Sequence, residues 1–376
     1  MKILFAQLRK PPCESRFFDR LGKAFNNLNE VTFHLGSAEI TFGIGTESKN
    51  TEKLLPVFRW PGNGLGDSMK NLLRLLDSVN RIRPDVLIFS SPEISLLLPI
   101  IKISFPCITI IFDLQENHGR NIRHQIHPSR PRKIHGAAVD FLVWWGMIFS
   151  SRIWLAEKVF SKQLNYFPSK TKIFENLAPL FYCPGTLKIA PWIFCFTGFI
   201  TRESGITTAL GLMDLIFRQE PRAKLLICGY CPDASLRREI MNHPLILFTN
   251  DPERWASSAE ILACMKMSSA QLMPYFESKA NAGKTPSKWY ASLAAGLPVW
   301  HWKNSILDLP LKEKIGFGLD MKNPDPDFYP DWLNFFNKFS FSPRTGEWNT
   351  DIEEIKKEVL RHFPYGEITK ESTEAD

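Results

Sequence analysis

The feature that most limits the fold of this chain is an alternation of short apolar runs with helical stretches, which occurs twice along its 376 residues. In the first series, strands are predicted over 2–8, 85–90, 107–112, 152–156 and 171–174, and helices over 17–28, 94–104 and 139–149. Strands that alternate with helices are typical of parallel sheets covered by helices on both faces. We therefore predict a doubly wound α/β domain over residues 1–178.

The same alternation starts again after a segment rich in proline and glycine. A strand over 192–197 leads through a turn into a helix over 206–218, and further strands are predicted over 223–229, 245–248, 270–273 and 297–300. The segment 177–191 has the composition of a hinge. We predict a second Rossmann-like domain over 179–345 that faces the first across a cleft, and a last segment, 346–376, with a helix that packs back toward the first domain and a polar tail. The cleft is the expected ligand site, because doubly wound sheets bind ligands beyond the carboxyl ends of their strands.

Positive charge is concentrated in the first half of the chain. Lys and Arg number 24 against 15 Asp and Glu in residues 1–180, a net charge of +9, but 22 against 24 in residues 181–376, a net charge of −2. Five cations and four histidines lie between residues 118 and 135, which favours an anionic partner such as phosphate, anionic lipid or nucleic acid. A solvated loop with surplus charge is the alternative.

The longest apolar run, residues 141–149, contains Trp144 and Trp145. It has about half of the roughly 20 residues that a membrane-spanning helix needs. The run therefore predicts either a buried helix or a helix whose tryptophans lie at a membrane surface beside the basic cluster.

The cysteines and the first residues bear on the compartment. Seven scattered cysteines, an odd number, argue against a disulfide framework. The chain opens with only four consecutive apolar residues before polar ones, unlike a secretory leader. We expect a folded cytoplasmic protein.

Three short motifs are only weak indications of nucleotide or metal binding. The glycines within 62–66 lack the spacing of a dinucleotide-binding loop and predict a turn before a helix that begins near Asp67. Cys228 and Cys231 lack the second pair of a zinc site and predict a turn at a strand end. The acidic pair Asp325 and Asp327 lies in a proline-rich loop. Hydrolase, zinc-protease and P-loop motifs are absent from the sequence, which argues against those classes.

The most informative stretch is 283–299, which predicts a loop, a helix over 286–295, Gly296 just past its end, and a strand. Lys288 lies in the first turn of this helix, where exposed amides and the helix dipole favour an anion. A diphosphate fits that place. A surface lysine on a packed helix is the alternative.

The residues 286–299, PSKWYASLAAGLPV, resemble the donor-binding P-x-K-x-x-E-Y-x-A-x-G-x-P-V segment of GT-B glycosyltransferases of the family 1/4 kind. Residues 196–205, FTGFITRESG, are similar to the glycine loop of that family, and 223–229 to its next strand. Residues 110–117, IIFDLQEN, are similar to its acceptor-side segment, and 174–176 to the strand before its hinge. The resemblance implies a GT-B fold and the transfer of a sugar from a nucleotide-diphosphate sugar.

The chain departs from the family pattern at several positions. The diphosphate-binding Arg and Lys of the family align with Phe199 and Ser204, and its paired glutamates align with Gly283 and Ala291. Gln115 stands where many members carry His. A variant branch, similar to glucuronosyl- and lipid-linked mannosyltransferases, keeps the lysine without the paired glutamates. Binding of the diphosphate then falls to Lys288, with Ser287 and the helix amides.

The resemblance and the residue types together give a set of expected site residues. We expect catalytic roles for Asp113, Glu116 and His118. We expect the sugar donor to be bound by Gly198, Arg202, Ser204, Tyr230, Tyr275, Pro286, Ser287 and Lys288, and the acceptor by Arg16, Arg120 and Arg123. Either carboxylate serves as base in an inverting reaction and orients the acceptor in a retaining one. The alternatives are a turn cap for Asp113 and a surface pair with Arg120 for Glu116.

The expected function is a metal-independent hexosyltransferase that needs no cofactor and uses a UDP- or GDP-linked donor. The expected acceptor is a glycan or lipid-linked glycan of cell-surface polysaccharide or glycoconjugate synthesis, at the inner face of the plasma membrane, with peripheral contact with anionic lipid. The alternatives are a catalytically inactive partner subunit of a glycosyltransferase complex and a nucleotide-sugar epimerase. A nucleic-acid partner is not expected, because the cations lack interleaved aromatic residues.

Overall fold

The computed structural model describes residues 2–8, 16, 32–38, 54–60, 65–124, 130–164, 166–177, 190–275, 278–321, 325, 328–341 and 353–359. Within these ranges the chain forms two parallel sheets with helices around them. The predicted helix 17–28, most of the hinge, Asp327 and the polar tail lie outside the described residues.

The first sheet has seven described strands in the order β3-β2-β1-β4-β5-β6-β7, all parallel. The strands are β1 Lys2–Ala6, β2 Thr32–Ala38, β3 Leu54–Trp60, β4 Val86–Phe89, β5 Thr109–Leu114, β6 Arg152–Leu155 and β7 Thr171–Ile173. The helices are α1 Leu65–Ile82, α2 Leu98–Ser104, which follows a 3₁₀ turn Pro92–Leu97, α3 His118–Arg123, α4 Arg130–Phe149 and α5 Lys158–Gln163.

The central strands of this sheet are apolar because helices cover both of their faces. All four residues of β4 are buried, and Phe89 stacks on Phe112 of β5 with ring centroids 4.4 Å apart. Strands buried on both sides read as continuous apolar runs. Polar side chains therefore come where the strands end, and the residues that follow β5 and β6 lie at the carboxyl edge of the sheet.

The second sheet has six described strands in the order β10-β9-β8-β11-β12-β13, again all parallel. The strands are β8 Ile193–Phe199, β9 Lys224–Tyr230, β10 Ile246–Phe248, β11 Ala270–Met273, β12 Val299–Trp302 and β13 Gly316–Leu319. The helices are α6 Ile206–Gln219, α7 Ala234–Met241, α8 Ser258–Lys266, α9 Ser287–Ala295, α10 Lys312–Ile315 and α11 Phe328–Lys338.

Aromatic packing and hydrogen bonding hold the second core. Trp300 of β12 and Trp332 of α11 are fully buried, with ring centroids 5.2 Å apart in an edge-to-face arrangement. The Trp332 indole donates to the Pro191 carbonyl at 2.9 Å, so the large ring carries no unpaired polar atom into the core. Cys228 and Cys231 are buried free thiols at the end of β9, and burial raises the pKa of Cys231.

Two sequence predictions need correction. The basic stretch 118–135 is largely helical rather than a loop, since α3 covers 118–123 and α4 begins at Arg130, nine residues before the predicted start. The Asn117 side chain caps α3 by accepting a hydrogen bond from the Arg120 backbone N–H. The apolar run is neither wholly buried nor wholly exposed, because α4 buries Val143 and Met147 but leaves Phe141 half-exposed.

Hydrogen bonds join the two domains across the cleft. The Arg120 guanidinium donates twice to the Lys279 carbonyl, at 2.8 and 3.0 Å, and the Lys284 amine donates to Asn121 Oδ1 at 2.7 Å. The Tyr290 hydroxyl donates to Glu175 Oε1 at 2.7 Å. These bonds bring the carboxyl edges of the two sheets together.

The last described segment returns to the first domain. Residues 353–359 form a short helix, α12, in which Ile355 and Val359 are fully buried. Glu358 pairs with Arg152 of β6 at 2.8 Å, and Glu354 pairs with Lys172 of β7 at 3.2 Å. The chain therefore crosses from the second domain back to the edge of the first sheet.

Candidate active site

A cavity of about 350 Å³ lies between the carboxyl ends of the two sheets. Its walls come from both domains, with Glu116 and Glu157 on one side and Gly198, Lys284 and Lys288 on the other. The volume falls in the range of small-molecule sites. The cavity occupies the place where doubly wound sheets bind their ligands.

Lys288 supplies a buried amine to this cavity. Helix α9 begins directly after Pro286, whose extended backbone ends the preceding loop, and Lys288 lies in the first turn. Only 8% of the lysine is exposed, and among the described residues its Nζ has no hydrogen-bond partner. The amine lies over the rings of Phe196 and Tyr275, 4.1 and 5.2 Å from their centroids. Burial lowers the pKa of Lys288 to about 7, because an apolar surrounding disfavours the charged form.

Glycines let the backbone approach this amine. Gly198, near the end of β8, has φ +90°, and a Cβ there would lie 3.4 Å from the Lys288 side chain. A Cβ on Gly229 of β9 would lie 1.8 Å from the Gly198 carbonyl oxygen, so this position requires glycine. Gly296 ends α9 in the left-handed conformation that the sequence predicted.

A second wall of the cavity is apolar. Helix α8 contributes Ile261, Leu262 and Met265, and α9 contributes Ala291 and Ala295. A capping box starts α8, because the Ser257 hydroxyl and the Glu260 carboxylate each accept from the backbone N–H of the other. The Arg254 guanidinium beside Glu260 holds the pKa of that carboxyl well below its usual range, at about 2. Glu260 is therefore ionised and fixes the start of the wall.

Asp113 is not a free carboxylate. It is fully buried at the end of β5, and the Arg16 guanidinium donates to both of its oxygens at 2.5–3.1 Å. Gln115 Nε2 donates to the same carboxylate at 3.1 Å. Arg16 also donates to the Phe174 carbonyl and to Asn176 Oδ1, each at 2.9 Å. Arg16 lines the cavity and Asp113 does not, so Asp113 positions the arginine rather than facing a ligand.

Glu116 faces the cavity and belongs to a polar cluster that spans both domains. Its Oε2 accepts from Asn121 Nδ2 at 3.3 Å, and Asn121 in turn accepts from the Lys284 amine. Burial lowers the pKa of Lys284. The nearby carboxylates of Glu157 and Glu116 partly offset this effect, because their negative charges raise the pKa of the amine. The cluster thus combines two carboxylates with one buried amine.

Glu157 is a cavity residue that the sequence analysis missed. It lies two residues past the end of β6, is only 9% exposed, and its Oε2 has no hydrogen-bond partner within the described part of the chain. Burial raises the pKa of Glu157 to about 7, opposed by the positive charge of Lys284 and a hydrogen bond from the Thr285 N–H. An available signal was its place as the first charged residue after a buried strand, the same signal that selected Glu116.

Several predicted site residues lie away from the cavity lining. Arg202 is half-exposed and pairs with Glu239 at 2.8 Å, and the Ser204 hydroxyl bonds to the Thr201 backbone within its own turn. Tyr230 packs against Trp255 with ring centroids 5.1 Å apart. Arg202 and Ser204 were assigned to the sugar donor from the alignment of the glycine loop 196–205.

Of the residues predicted to bind the acceptor, Arg16 lines the cavity, whereas Arg120 and Arg123 do not. Arg120 donates to the Lys279 carbonyl of the other domain, and Arg123 pairs with Asp140 of α4. His118 starts α3 and does not line the cavity. Of the residues expected to bind the donor, the cavity brings together Gly198, Tyr275, Pro286, Ser287 and Lys288.

The described residues contain no cluster of three or more His, Cys, Asp or Glu side chains arranged to hold a metal ion. In the same ranges, every helix is too short or too polar to cross a bilayer.

The architecture is similar to several solved structures. Sucrose-phosphate synthase from Thermosynechococcus elongatus superposes with a TM-score of 0.65 at 11% sequence identity, over 96% of this chain and 99% of that one. Anabaena HepE, solved in complex with UDP and glucose, gives a TM-score of 0.56 at 12% identity, over 96% and 95% of the two chains. The UDP-GlcNAc 2-epimerase from Methanocaldococcus jannaschii gives 0.54 at 10% identity, over 96% and 100%.

These similarities establish the fold. The chain has the GT-B fold, two Rossmann-like α/β domains with parallel sheets, as the sequence resemblance implied. No protein-family model and no curated protein sequence matches the chain. At identities of 10–13%, these similarities concern the fold.

Proposed function

We propose that this protein is a glycosyltransferase that takes its sugar from a UDP- or GDP-linked donor. The observation that carries the proposal is the buried Lys288 amine, which points to an anionic ligand. A buried polar group without a partner costs about 1–3 kcal/mol, and an anion at the start of α9 removes that cost. The free amides at a helix N-terminus favour phosphate in the same place.

The proposed chemistry is the departure of a nucleotide diphosphate. As the bond between the anomeric carbon and the β-phosphate oxygen breaks, negative charge grows on that oxygen. Lys288 in its protonated form and the first amides of α9 stabilise this charge, which lowers the barrier. Binding of the diphosphate raises the proton affinity of the amine, since an opposite charge favours the charged form. The proposal needs no metal ion and no cofactor.

Two further features support a nucleotide. The apolar wall of α8 and α9 suits the flat face of a base or a sugar ring better than it suits a second charged group. The fold neighbour HepE was solved with UDP and glucose. Arg202 and Ser204, which the sequence assigned to the donor, have no part in this proposal because both are bound elsewhere.

The donor site is tested by nucleotide binding to the wild type and to Lys288→Met. We expect UDP or GDP, and the matching sugar nucleotides, to raise the melting temperature of the wild type, because a ligand of the native state stabilises it by mass action. In Lys288→Met we expect at least about 30-fold weaker binding by calorimetry, which corresponds to the loss of a charge-assisted contact. Lys279→Met, at an exposed lysine on the same side of the cleft, is the matched control. Equal affinity in Lys288→Met and wild type would contradict the proposal.

The proposed acceptor is a glycan or lipid-linked glycan of cell-surface synthesis, reached at an anionic membrane from the cytoplasmic side. The support is a surface that we term the apolar strip. Its members are the exposed side chains of α4 and of the 92–104 segment against which α4 packs: Leu96, Ile100, Ile103, Ile134, Phe141 and Trp144. Ile103 is 81% exposed and Ile134 is 73% exposed, and Lys133, the preceding residue of α4, is also exposed. Apolar and aromatic side chains beside cations suit an anionic lipid surface.

Membrane binding is tested by flotation with vesicles of phosphatidylglycerol and phosphatidylcholine. We expect the wild type to float with acidic vesicles and to remain in the soluble fraction with neutral ones. Phe141→Ser combined with Trp144→Ser should reduce the floated fraction several-fold. Phe217→Ser, at an exposed aromatic residue of the other domain, is the control. A wild type that stays soluble with acidic vesicles would contradict the membrane part of the proposal and leave the donor site untouched.

One observation favours a second candidate, an inactive partner subunit of a glycosyltransferase complex. The loop that carries the cations of the resembled family has none facing the cavity among its described residues, since Arg202 pairs outside it. An inactive subunit predicts nucleotide binding without cleavage of any sugar nucleotide. Release of free sugar from a bound donor separates the two candidates.

A further inference from the structure

A buried carboxylate in the cavity has no role in the chemistry proposed so far. Glu157 lies two residues past the end of β6, on the first-domain wall, and only 9% of it is exposed. Its Oε2 has no hydrogen-bond partner in the described ranges, whereas a Thr285 N–H from the second domain donates to the carboxylate. A buried carboxylate oxygen without a partner is costly, so its retention at a cavity wall indicates a ligand or a proton.

The charged groups around Glu157 come from four places. Lys284 lies before α9, Glu116 follows β5, Glu175 follows β7, and Arg120 lies on α3 and adds positive charge beside Lys284. Burial raises the pKa of Glu157 from 4.5 to about 7, Lys284 and the Thr285 N–H act in the opposite direction, and the two acidic neighbours add a smaller upward effect. The carboxylate therefore gains and loses a proton near neutral pH, which is what proton transfer in catalysis requires.

We propose that Glu157 is the general base of the transfer reaction, an inference that rests on the glycosyltransferase function proposed above. The acceptor hydroxyl oxygen forms a bond to the anomeric carbon while the bond from that carbon to the β-phosphate oxygen breaks. The hydroxyl proton goes to the Glu157 carboxylate, and the electron pair of the broken bond stays on the diphosphate beside Lys288. Direct displacement of this kind inverts the configuration of the anomeric carbon. Glu116 and Asn121 orient the acceptor beside the base.

The test measures donor cleavage with water as the acceptor. The probe is UDP-glucose, or GDP-mannose if guanosine nucleotides alone bind, at saturating concentration between pH 5.5 and 9. Saturation keeps Lys288 paired with the diphosphate, so the base is the group that titrates. We expect the wild-type rate to rise about tenfold per pH unit below pH 7 and to level off above it. The freed sugar should have the anomeric configuration opposite to that of the donor, observed by NMR directly after cleavage.

Variants assign this pH dependence to one carboxylate. Glu157→Gln should lower the rate at pH 8 by about 100-fold or more and remove the inflection, while its dissociation constant for UDP stays within about threefold of wild type. Glu157→Asp should restore part of the rate with an inflection at lower pH. Glu175→Gln is the matched control, since Glu175 does not line the cavity. It should keep the plateau rate and move the inflection to lower pH, because a negative neighbour of Glu157 is gone.

The outcomes separate this inference from the proposed function. If no nucleotide binds the wild type, the proposed function fails and the inference fails with it. If nucleotide binds but Glu157→Gln cleaves the donor at the wild-type rate, or if the sugar is released with retained configuration, the inference is overturned and the donor site stands. Binding without any cleavage by the wild type also overturns it. If Glu157→Gln does not fold, Glu157→Asp becomes the test variant. A wild-type rate and a wild-type inflection in Glu157→Asp overturn the inference.

Discussion

Two ionisable side chains in the cavity share one physical cause for their behaviour. Burial disfavours the charged form of each, so it lowers the pKa of the Lys288 amine and raises the pKa of the Glu157 carboxyl, both to about 7. Because the two shifts have opposite directions, the proposed base and the proposed phosphate-binding amine both gain or lose a proton near neutral pH.

Lys288 should make the ligand-free protein less stable. Its folded-state pKa of about 7 lies below its unfolded value near 10.5, so between these two values the unfolded state binds more protons. The free energy of unfolding of the wild type therefore rises with pH from about 7 to 10.5. The destabilisation caused by Lys288 is greatest at and below pH 7. We expect Lys288→Met to be more stable than wild type by on the order of 3–5 kcal/mol at pH 6.5, with the difference shrinking as pH rises.

Urea unfolding at pH 6.5, 8 and 9.5 measures this difference. The free energy of unfolding of Lys279→Met, a variant at an exposed position, should match that of the wild type at all three pH values. A Lys288→Met protein that is less stable than wild type at pH 6.5, or a gap that widens with pH, would contradict the assignment of a lowered pKa to this amine.

At the scale of elements, the ends of strands build the site. Glu116 and Glu157 follow β5 and β6, and Gly198 lies at the end of β8, while the first turn of α9 brings Lys288 to them. The glycine pair at the ends of β8 and β9 matters because the two backbones touch. Gly198 and Gly229 are partners in the parallel ladder, and any side chain on Gly229 meets the Gly198 carbonyl.

Alanine at two glycines should have opposite effects on stability. Gly229→Ala places a Cβ against backbone, so we expect a loss of about 2 kcal/mol or more together with weaker nucleotide binding. Gly211→Ala lies on the exposed face of α6 with no atom within 4 Å of the added Cβ, so we expect a gain of about 0.5–1 kcal/mol. Thermal unfolding of both variants gives the comparison. A Gly229→Ala protein as stable as Gly211→Ala would show that the strand ends can separate without cost.

At the scale of the whole molecule, polar contacts close the cleft. The Arg120, Lys284 and Tyr290 side chains each reach the opposite domain. These three side chains make four hydrogen bonds, which are polar contacts unlike those of the apolar cores of the two domains. Interfaces of this polar kind permit relative domain movement.

Loss of the Arg120 and Tyr290 contacts should open the molecule. We expect Arg120→Met combined with Tyr290→Phe to have a larger radius of gyration in solution scattering than wild type, and a saturating nucleotide to reduce the difference. Arg222→Met is the control, because this arginine stacks on Trp192 and pairs with Glu220 within the second domain. Unchanged scattering of the double variant would mean that other contacts set the closure.

The strand predictions that succeeded and failed have a common explanation. Strands β4, β5, β8 and β11 are covered on both faces, so their sequences are apolar runs that were predicted within a few residues. Strands β2, β3 and β13 were not predicted. The sequence of β3 contains Pro56, and a proline in a strand is tolerated at a sheet edge, where β3 lies among the described strands. Because proline interrupts the apolar pattern of this segment, the edge strand was not recognised from the sequence.

The sequence by itself determined the features that depend on neighbours along the chain. The turn at Gly296, the start of α9 and the presence of Lys288 in its first turn follow from capping and propensity over fewer than ten residues. The two-domain GT-B architecture followed from the repeated strand and helix pattern together with the motif resemblance. Local backbone rules act the same way wherever the segment lies in the fold.

The tertiary structure alone decided which charged side chains face the cavity. Arg16 meets Asp113 across 97 positions, Asn121 meets Lys284 across 163, and Arg202 turns away to Glu239. Glu157 became a cavity residue because a segment of the other domain covers it. The proton affinity and the availability of an ionisable group depend on burial and on distant charges, and these are set only when the two sheets come together.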